Sequence, residues 1–139
     1  MSAIIRQIIL FLIISRLGCC GDSSDKSSRM LVKLDISNIG NLVYISHKAE
    51  PPISRTIYYL KKDDTFISIA DSGVIIWEAY GGEVAVDVVV YSKDSIPLLI
   101  TLLIQDCAQF KYVHFEKAET WKQISKETYI EKLVELRTS

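Results

Sequence analysis

The chain is poor in the residues that staple, stiffen or punctuate a polypeptide: its 139 residues include three cysteines, three prolines and six glycines. So few cysteines exclude a disulfide-dense scaffold, and so little glycine and proline excludes collagen and proline-rich low-complexity chains. Charge of either sign is not in excess. Sixteen lysines and arginines face seventeen acidic residues, for a net charge of −1, which argues against the basic surface by which proteins hold nucleic acid. No basic cluster larger than Lys61-Lys62 occurs. The two histidines, His47 and His114, stand at no short spacing from a cysteine, so a zinc site has no motif to rest on. The Gly-x-Ser-x-Gly elbow, the phosphate-cradling P-loop and the dinucleotide fingerprint are all missing. The expectation is a protein without a catalytic, cofactor-binding or metal-ligating residue set, without a cofactor and without a small-molecule substrate.

What the chain has is apolar content. At 49% hydrophobic and 24% charged, it can offset the entropy of ordering a backbone, and its length suits one domain. The first residues read differently from the rest. Arg6 and the amino group supply positive charge, residues 8–14 are an unbroken apolar run, and Gly18-Cys19-Cys20 offers small residues before Gly21. That order describes a secretory signal peptide over residues 1–20, cut between Cys20 and Gly21. Arg16, between the apolar run and the cut, departs from the usual pattern. The run is too short for a membrane-spanning helix, which takes about 20 apolar residues, so no transmembrane segment is expected. Residues 21–29 are small and polar and read as a flexible tether, leaving residues 30–139 as the folded domain. Cleavage at that point would leave Cys107 without an intramolecular disulfide partner, and such a cysteine is more often a buried small hydrophobe than a reactive thiol. Cleavage before Cys19 instead opens the alternative of a lipid-anchored surface protein through Cys19 or Cys20. Arg16-Leu17-Gly18 lacks the apolar residue such an anchor signal carries, and the polar end Arg137-Thr138-Ser139 reads against a GPI tail.

From Leu31 onward the dominant signal is alternation. Val32, Leu34 and Ile36 alternate with Lys33, Asp35 and Ser37, the period of a strand with one wet face. Asn38-Ile39-Gly40-Asn41 then reads as a turn into a partner strand at 42–46, and Pro51-Pro52 as a break before a strand at 56–61. Further β-rich runs occupy 66–70, 74–80, 84–91 and 110–115, separated by Asp, Ser and Gly turn residues. In the 84–91 run, Val84, Val86, Val88 and Val90 are expected on one face, with Ala85, Asp87, Val89 and Tyr91 on the other. Residues 96–104 are nearly continuous in apolar character, as a strand buried on both faces reads. The period changes at the end of the chain. Ser125 is placed to cap a helix, Ile124 to pack on Tyr129, and Tyr129, Leu133 and Leu136 to share a face that Ile130 and Val134 widen. Trp121 is expected to cover the helix base. The predicted fold class is therefore mainly β (α+β): an antiparallel sheet or sandwich of about seven to eight strands with one C-terminal amphipathic helix.

Three features invite chemistry. An apolar strand running into Asp71-Ser72-Gly73 resembles the catalytic turn of aspartic proteases, where paired aspartates share a proton; a dimer would supply the pair. Val74 stands where that family usually has Ala or Ser, and no later apolar-apolar-Gly element follows, so the same residues read more simply as a turn. Glu127, Glu131 and Glu135 recur every four positions and read as a solvated helix edge. The seven tyrosines, Tyr44, Tyr58, Tyr59, Tyr80, Tyr91, Tyr112 and Tyr129, suit either a binding surface or the half-buried face of a sheet, and sheet packing is favoured.

Taken in order, Leu34-Asp35-Ile36, Val74-Ile75-Ile76-Trp77-Glu78, Trp121-Lys122-Gln123-Ile124 and then Tyr129 with Lys132-Leu133 and Leu136 resemble the FAINT domain of secreted proteins from Theileria and related apicomplexan parasites. The resemblance runs from about residue 31 to 136, nearly all of the chain behind the leader. It implies export from the parasite, either extracellular or into the host cell, and a role at the host–parasite interface in contact with a host or parasite protein. It implies no enzymatic activity and no cofactor, and carries no catalytic residues. This chain departs from larger members in having one copy and no long Pro/Gln-rich tract, and its 96–104 segment is unusually apolar. The expected function is thus a secreted, non-enzymatic interaction module, with the Asp71 hydrolase and the lipid-anchored protein as alternatives.

Overall fold

A computed structural model of the protein describes residues 30–138. The leader, its cut site, Cys19, Cys20 and the tether lie outside the described residues. Nine strands and one helix follow in order: β1 (Leu31–Asp35), β2 (Tyr44–Glu50), β3 (Ile53–Tyr59), β4 (Thr65–Asp71), β5 (Val74–Glu78), β6 (Glu83–Lys93), β7 (Ile96–Asp106), β8 (Gln109–Lys117), β9 (Trp121–Ile124) and α1 (Lys126–Thr138). The mainly-β reading with one C-terminal helix holds.

Six strands form the main leaf in the spatial order β9-β8-β7-β6-β3-β2, antiparallel throughout. β7, the apolar 96–104 run, lies inside it between β6 and β8, and Leu99, Ile100, Thr101 and Leu102 are buried in succession. Paired on both edges, with one face in the core and the other under α1 at Leu99, the strand has little room for a charge, which is why its sequence lacks alternation. Connections are tight: Asp94 and Ser95 join β6 to β7 with φ of 55° and 67°, the twisted geometry that suits the right-handed twist of a hairpin.

The second leaf is small, and its topology differs from expectation. β1 does not form a hairpin with β2; it pairs in parallel with β4, and β2 pairs with β3. Residues 38–41 therefore open a crossover. The sheet is mixed for that reason. Pro51-Pro52, in cis, makes the β2–β3 turn. β4 also pairs with β5 and touches β6 at Phe66↔Ala85, so the β1–β4–β5 leaf branches from the main one where β6 begins. It folds back over one face of the main leaf: Val32, Leu34, Phe66 and Ile69 join Val88, Val90, Ile100, Leu102, Ile104 and Phe115 in one buried cluster.

A bulge in β6 between Ala85 and Asp87 shifts the phase of that strand. Ala85 enters the core fully buried beside Val88 and Val90, whereas Val84 and Val86 are only half-buried. The strict alternation predicted for 84–91 fails at this bulge, because one extra residue moves every earlier side chain to the other face.

α1 packs on the opposite face of the main leaf. Ser125 caps it as expected: its Oγ accepts from the Thr128 N–H at 3.1 Å, and its carbonyl accepts from the Tyr129 N–H at 2.9 Å. Tyr129 is buried against Ile53, Tyr91 and Leu99, with Ile124, Leu133 and Leu136 around them. Ile130 and Val134 do not widen the contact; both are exposed. Trp121 does not cover the helix base either. It lies on the other side of the leaf, against the larger core, since Trp121 and Ile124 are three residues apart on a strand and point to opposite faces.

Candidate functional site

The faces of the main leaf can be read row by row from its register. On the helix side, Ile57 lies level with Val89, Val89 opposite Thr101, and Thr101 opposite His114. One row towards the β6–β7 turn, Arg55, Tyr91, Leu99 and Glu116 follow each other across the same strands. α1 covers this row. Arg137 places its guanidinium over the Tyr91 ring at 5.6 Å and donates to Glu50 at 3.1 Å, while Lys132 stands 3.7 Å from Glu116.

The helix stops there, and the rest of the face is open. A groove of about 350 Å³ runs along the first turn of α1, floored by Ile57, Val89 and Thr101. Its walls are Arg55, Tyr91, Tyr112, His114 and Tyr129. His114 stacks on Tyr129 with ring centroids 4.3 Å apart, and its Nδ1 lies 2.9 Å from Thr101 Oγ1. Burial, reinforced by the charge of Lys126, lowers the His114 pKa and favours the neutral ring. The Nε of Arg55 is buried with no hydrogen-bond partner and sits 3.7 Å from Glu50.

Beyond the groove comes a row that no element covers among the described residues. Tyr44 lies opposite Tyr59, with ring centroids 5.5 Å apart. Tyr59 is one step past Tyr58, which faces Val88, and so comes level with Asp87. Asp87 lies opposite Leu103, and Leu103 opposite Tyr112. Phe110 stands one row further out on the same face, opposite Gln105. Phe110 and Tyr112 are 59% and 66% exposed, high for aromatic side chains on a regular strand. The tyrosines therefore divide. Tyr58, Tyr91 and Tyr129 are buried, whereas Tyr44, Tyr59 and Tyr112 rim the open half-face and Tyr80 projects from a turn. Sheet packing accounts for the first group only.

The Asp71-Ser72-Gly73 turn is well defined, and its carboxylates are occupied. Ser72 and Gly73 take φ of 53° and 84° in the β4–β5 hairpin. Asp35, at the end of β1, accepts from the N–H groups of Ser72 and Gly73 at 2.9 and 2.8 Å and from Ser37 Oγ at 2.6 Å. Partial burial raises the Asp35 pKa, but these bonds and that from the Ser37 N–H outweigh it and hold the carboxyl at about 2. Asp71 Oδ2 accepts from Trp121 Nε1 at 2.9 Å and from Lys117 Nζ at 3.2 Å. With its side chain only 12% exposed, Asp71 is roofed by lysine and indole. A second aspartate from another copy would have to displace both to share a proton with it. The geometry gives Asp71 a bracing role, tying the small leaf to β8 and β9.

The remaining candidates are dispersed. His47 pairs with Thr56 at 3.0 Å on the exposed β2–β3 hairpin, four strands across the leaf from His114. Glu127, Glu131 and Glu135 are all exposed. No group of His, Cys, Asp or Glu among the described residues has the disposition to hold a metal, and no helix among them is long and apolar enough to cross a membrane. Cys107 is half-buried at φ 61° in the β7–β8 turn and is disulfide-bonded. The expectation of a lone cysteine concerns the chain cut between Cys20 and Gly21, both of which lie outside the described residues. No family model matches the chain, and neither the curated proteins nor the solved structures hold a significant match to it.

Proposed function

We propose that the protein is a secreted, non-enzymatic interaction module that binds a host or parasite protein through the open half of its helix-side sheet face. The observation that carries this reading is the uncovered row from Tyr44 to Tyr112, with Phe110 beside it. Soluble proteins seldom leave contiguous aromatic surface on a regular sheet unless something docks there, and tyrosine supplies contact area at low entropic cost. Secretion and the apicomplexan setting rest on the leader-like first 20 residues and on the resemblance to FAINT domains.

Two measurements test it. A photo-crosslinking side chain is placed at Tyr112 or, as a control, at Ile96, which is also exposed but lies at the opposite end of the leaf. The expected result is a crosslinked product from position 112 in infected cells that position 96 does not give and that Tyr59→Ala abolishes. Equal products from both positions overturn the assignment of the face. The export half is tested by locating tagged protein and sequencing its N-terminus. Protein confined to the parasite cytosol and starting at Met1 ends that half of the reading. A cysteine count accompanies it: a cut after Cys20 leaves one cysteine, Cys107, whereas a cut before Cys19 leaves three.

A further inference from the structure

The uncovered row contains one residue that packing does not explain. Asp87 lies in the middle of β6 with valines at 86, 88, 89 and 90. Aspartate is disfavoured in strand interiors, and most so where neighbours remove water from it. It is half-buried, and desolvation raises its pKa with no cation or donor to oppose the shift. No hydrogen bond or ion pair engages its carboxylate among the described residues, yet its oxygens are not sealed from solvent. The bulge just before it sets this placement, since a regular strand would put Asp87 on the face that Ala85 occupies. The rest of its own row on the helix side is aromatic or aliphatic, with Tyr59 on one flank, Leu103 on the other and Tyr44 and Tyr112 beyond them; the polar neighbours in the adjacent rows, Thr101 and Gln105, carry no charge.

We infer that this row is a recognition site for a cationic side chain, lysine or arginine, carried on an extended segment of a partner protein. The inference rests on the reading of the open half-face as an interaction surface and supplies the chemistry of what it binds. Charge complementarity decides the occupant. A carboxylate already stripped of part of its hydration and left without a counter-ion gains more from an incoming cation than a surface carboxylate does. Tyr59 on the neighbouring strand, and Tyr112 one strand beyond Leu103, supply aromatic surface that favours a guanidinium or ammonium near the carboxylate. Shape points to a polypeptide. With neighbouring strands about 4.8 Å apart, Tyr44 and Tyr112 are separated by about 19 Å, a shelf that is long, shallow and open. It suits several residues of an extended chain and gives a small cation no enclosure.

The test uses the secreted protein and synthetic nine-residue peptides, with apolar flanks, whose central residue is arginine, lysine, citrulline or glutamate. Citrulline keeps the shape of arginine without its charge. Binding is read by fluorescence polarisation at low and high salt. Arginine- and lysine-centred peptides are expected to bind at least tenfold more tightly than the citrulline peptide, with the preference reduced by salt and lost in Asp87→Asn. That variant is isosteric, and its thermal unfolding serves as the folding control. Equal binding of arginine and citrulline peptides to the wild type, a preference that survives Asp87→Asn, or no binding by any arginine peptide overturns the inference. Tyr112→Ala separates this from failure of the broader reading. If all four peptides bind alike and Tyr112→Ala removes them all, the face is an interaction surface without charge selection. If Tyr112→Ala leaves peptide binding untouched, the face is not the interaction surface.

Discussion

The main leaf has two faces made by the same strands, and they are finished to different degrees. Val88, Val90, Ile100, Leu102 and Ile104 point to one side and meet the β1–β4–β5 leaf, which seals them to 2% exposure or less. Asp87, Val89, Tyr91, Leu99, Thr101 and Leu103 point to the other, where a 13-residue helix reaches only the rows near the β6–β7 turn. A helix of that length spans about 20 Å, too little for strands of eleven residues and for the width of six of them. One face holds the fold together. The other is left with surface for something else.

The comparison breaks most easily at the core. Phe66, fully buried where the small leaf leaves β6, should cost about 3–5 kcal/mol when changed to alanine. Val89→Ala, on the floor of the open groove, should cost about 1 kcal/mol. Urea unfolding of the two variants settles the ranking, and equal losses would mean that the helix side is packed as tightly as the other.

The next effect lies at the brace between leaves. Asp35→Asn removes a carboxylate that accepts from Ser72, Gly73 and Ser37, and should cost about 1–2 kcal/mol near neutral pH. The pH dependence has a definite sign. The folded pKa of about 2 lies below the ordinary value for aspartate, so the folded state binds the proton less well than the unfolded one. The contribution is complete above about pH 4 and fades as pH falls towards 2. Wild type and Asp35→Asn should converge over that interval in acid titrations of unfolding. On the helix side, Ser125→Ala removes the N-cap bond to Thr128 and should cost about 1 kcal/mol. Hydrogen exchange should show that loss in α1 before it shows in β6 or β7.

Sequence patterns forecast the sealed face better than the open one, for physical reasons. The strand at 96–104, the period-two burial of Val88 and Val90 beyond the β6 bulge and the Ser125 cap each follow from local chemistry and appear where expected. What misled was long-range. Residues 31–36 read as half of a hairpin, but which strand accepts a neighbour is decided by the edges the rest of the sheet leaves free, and β1 found β4 in parallel. The β6 bulge is one residue of slippage with no sequence mark of its own, so alternation alone puts Ala85 on the face opposite the one it occupies. Trp121 is apolar and near the helix in sequence, which points to the helix side; parity along β9 and the Asp71 carboxylate place it on the other side. Of the candidate site, the tyrosines were visible as a group, whereas the division between buried and exposed members depends on how far α1 extends. The one sequence mark of the open face is Asp87, a single acidic residue inside a run of valines.

The smallest effect bears on that residue and runs in the opposite direction to the others. If Asp87 is kept for binding, replacing it with valine should stabilise the fold, because a half-buried carboxylate without a counter-ion is exchanged for a β-branched side chain that suits the strand. The expected gain is about 0.5–1 kcal/mol at neutral pH, read from the urea midpoint at unchanged slope. Its pH dependence identifies the cause. Desolvation raises the folded pKa of Asp87 above the ordinary carboxylate value, so the penalty is fully present above that raised pKa. It disappears as both states take up the proton near pH 4 and below. The advantage of Asp87→Val should therefore shrink on acidification, whereas a gain from packing alone would persist at every pH. Such a variant should also lose the preference for arginine-centred peptides and associate with itself more readily, since the only charge on the Tyr44–Tyr112 row would be gone. A destabilised Asp87→Val would mean that the carboxylate supports the folded chain, and the open face would then be no less committed to structure than the sealed one.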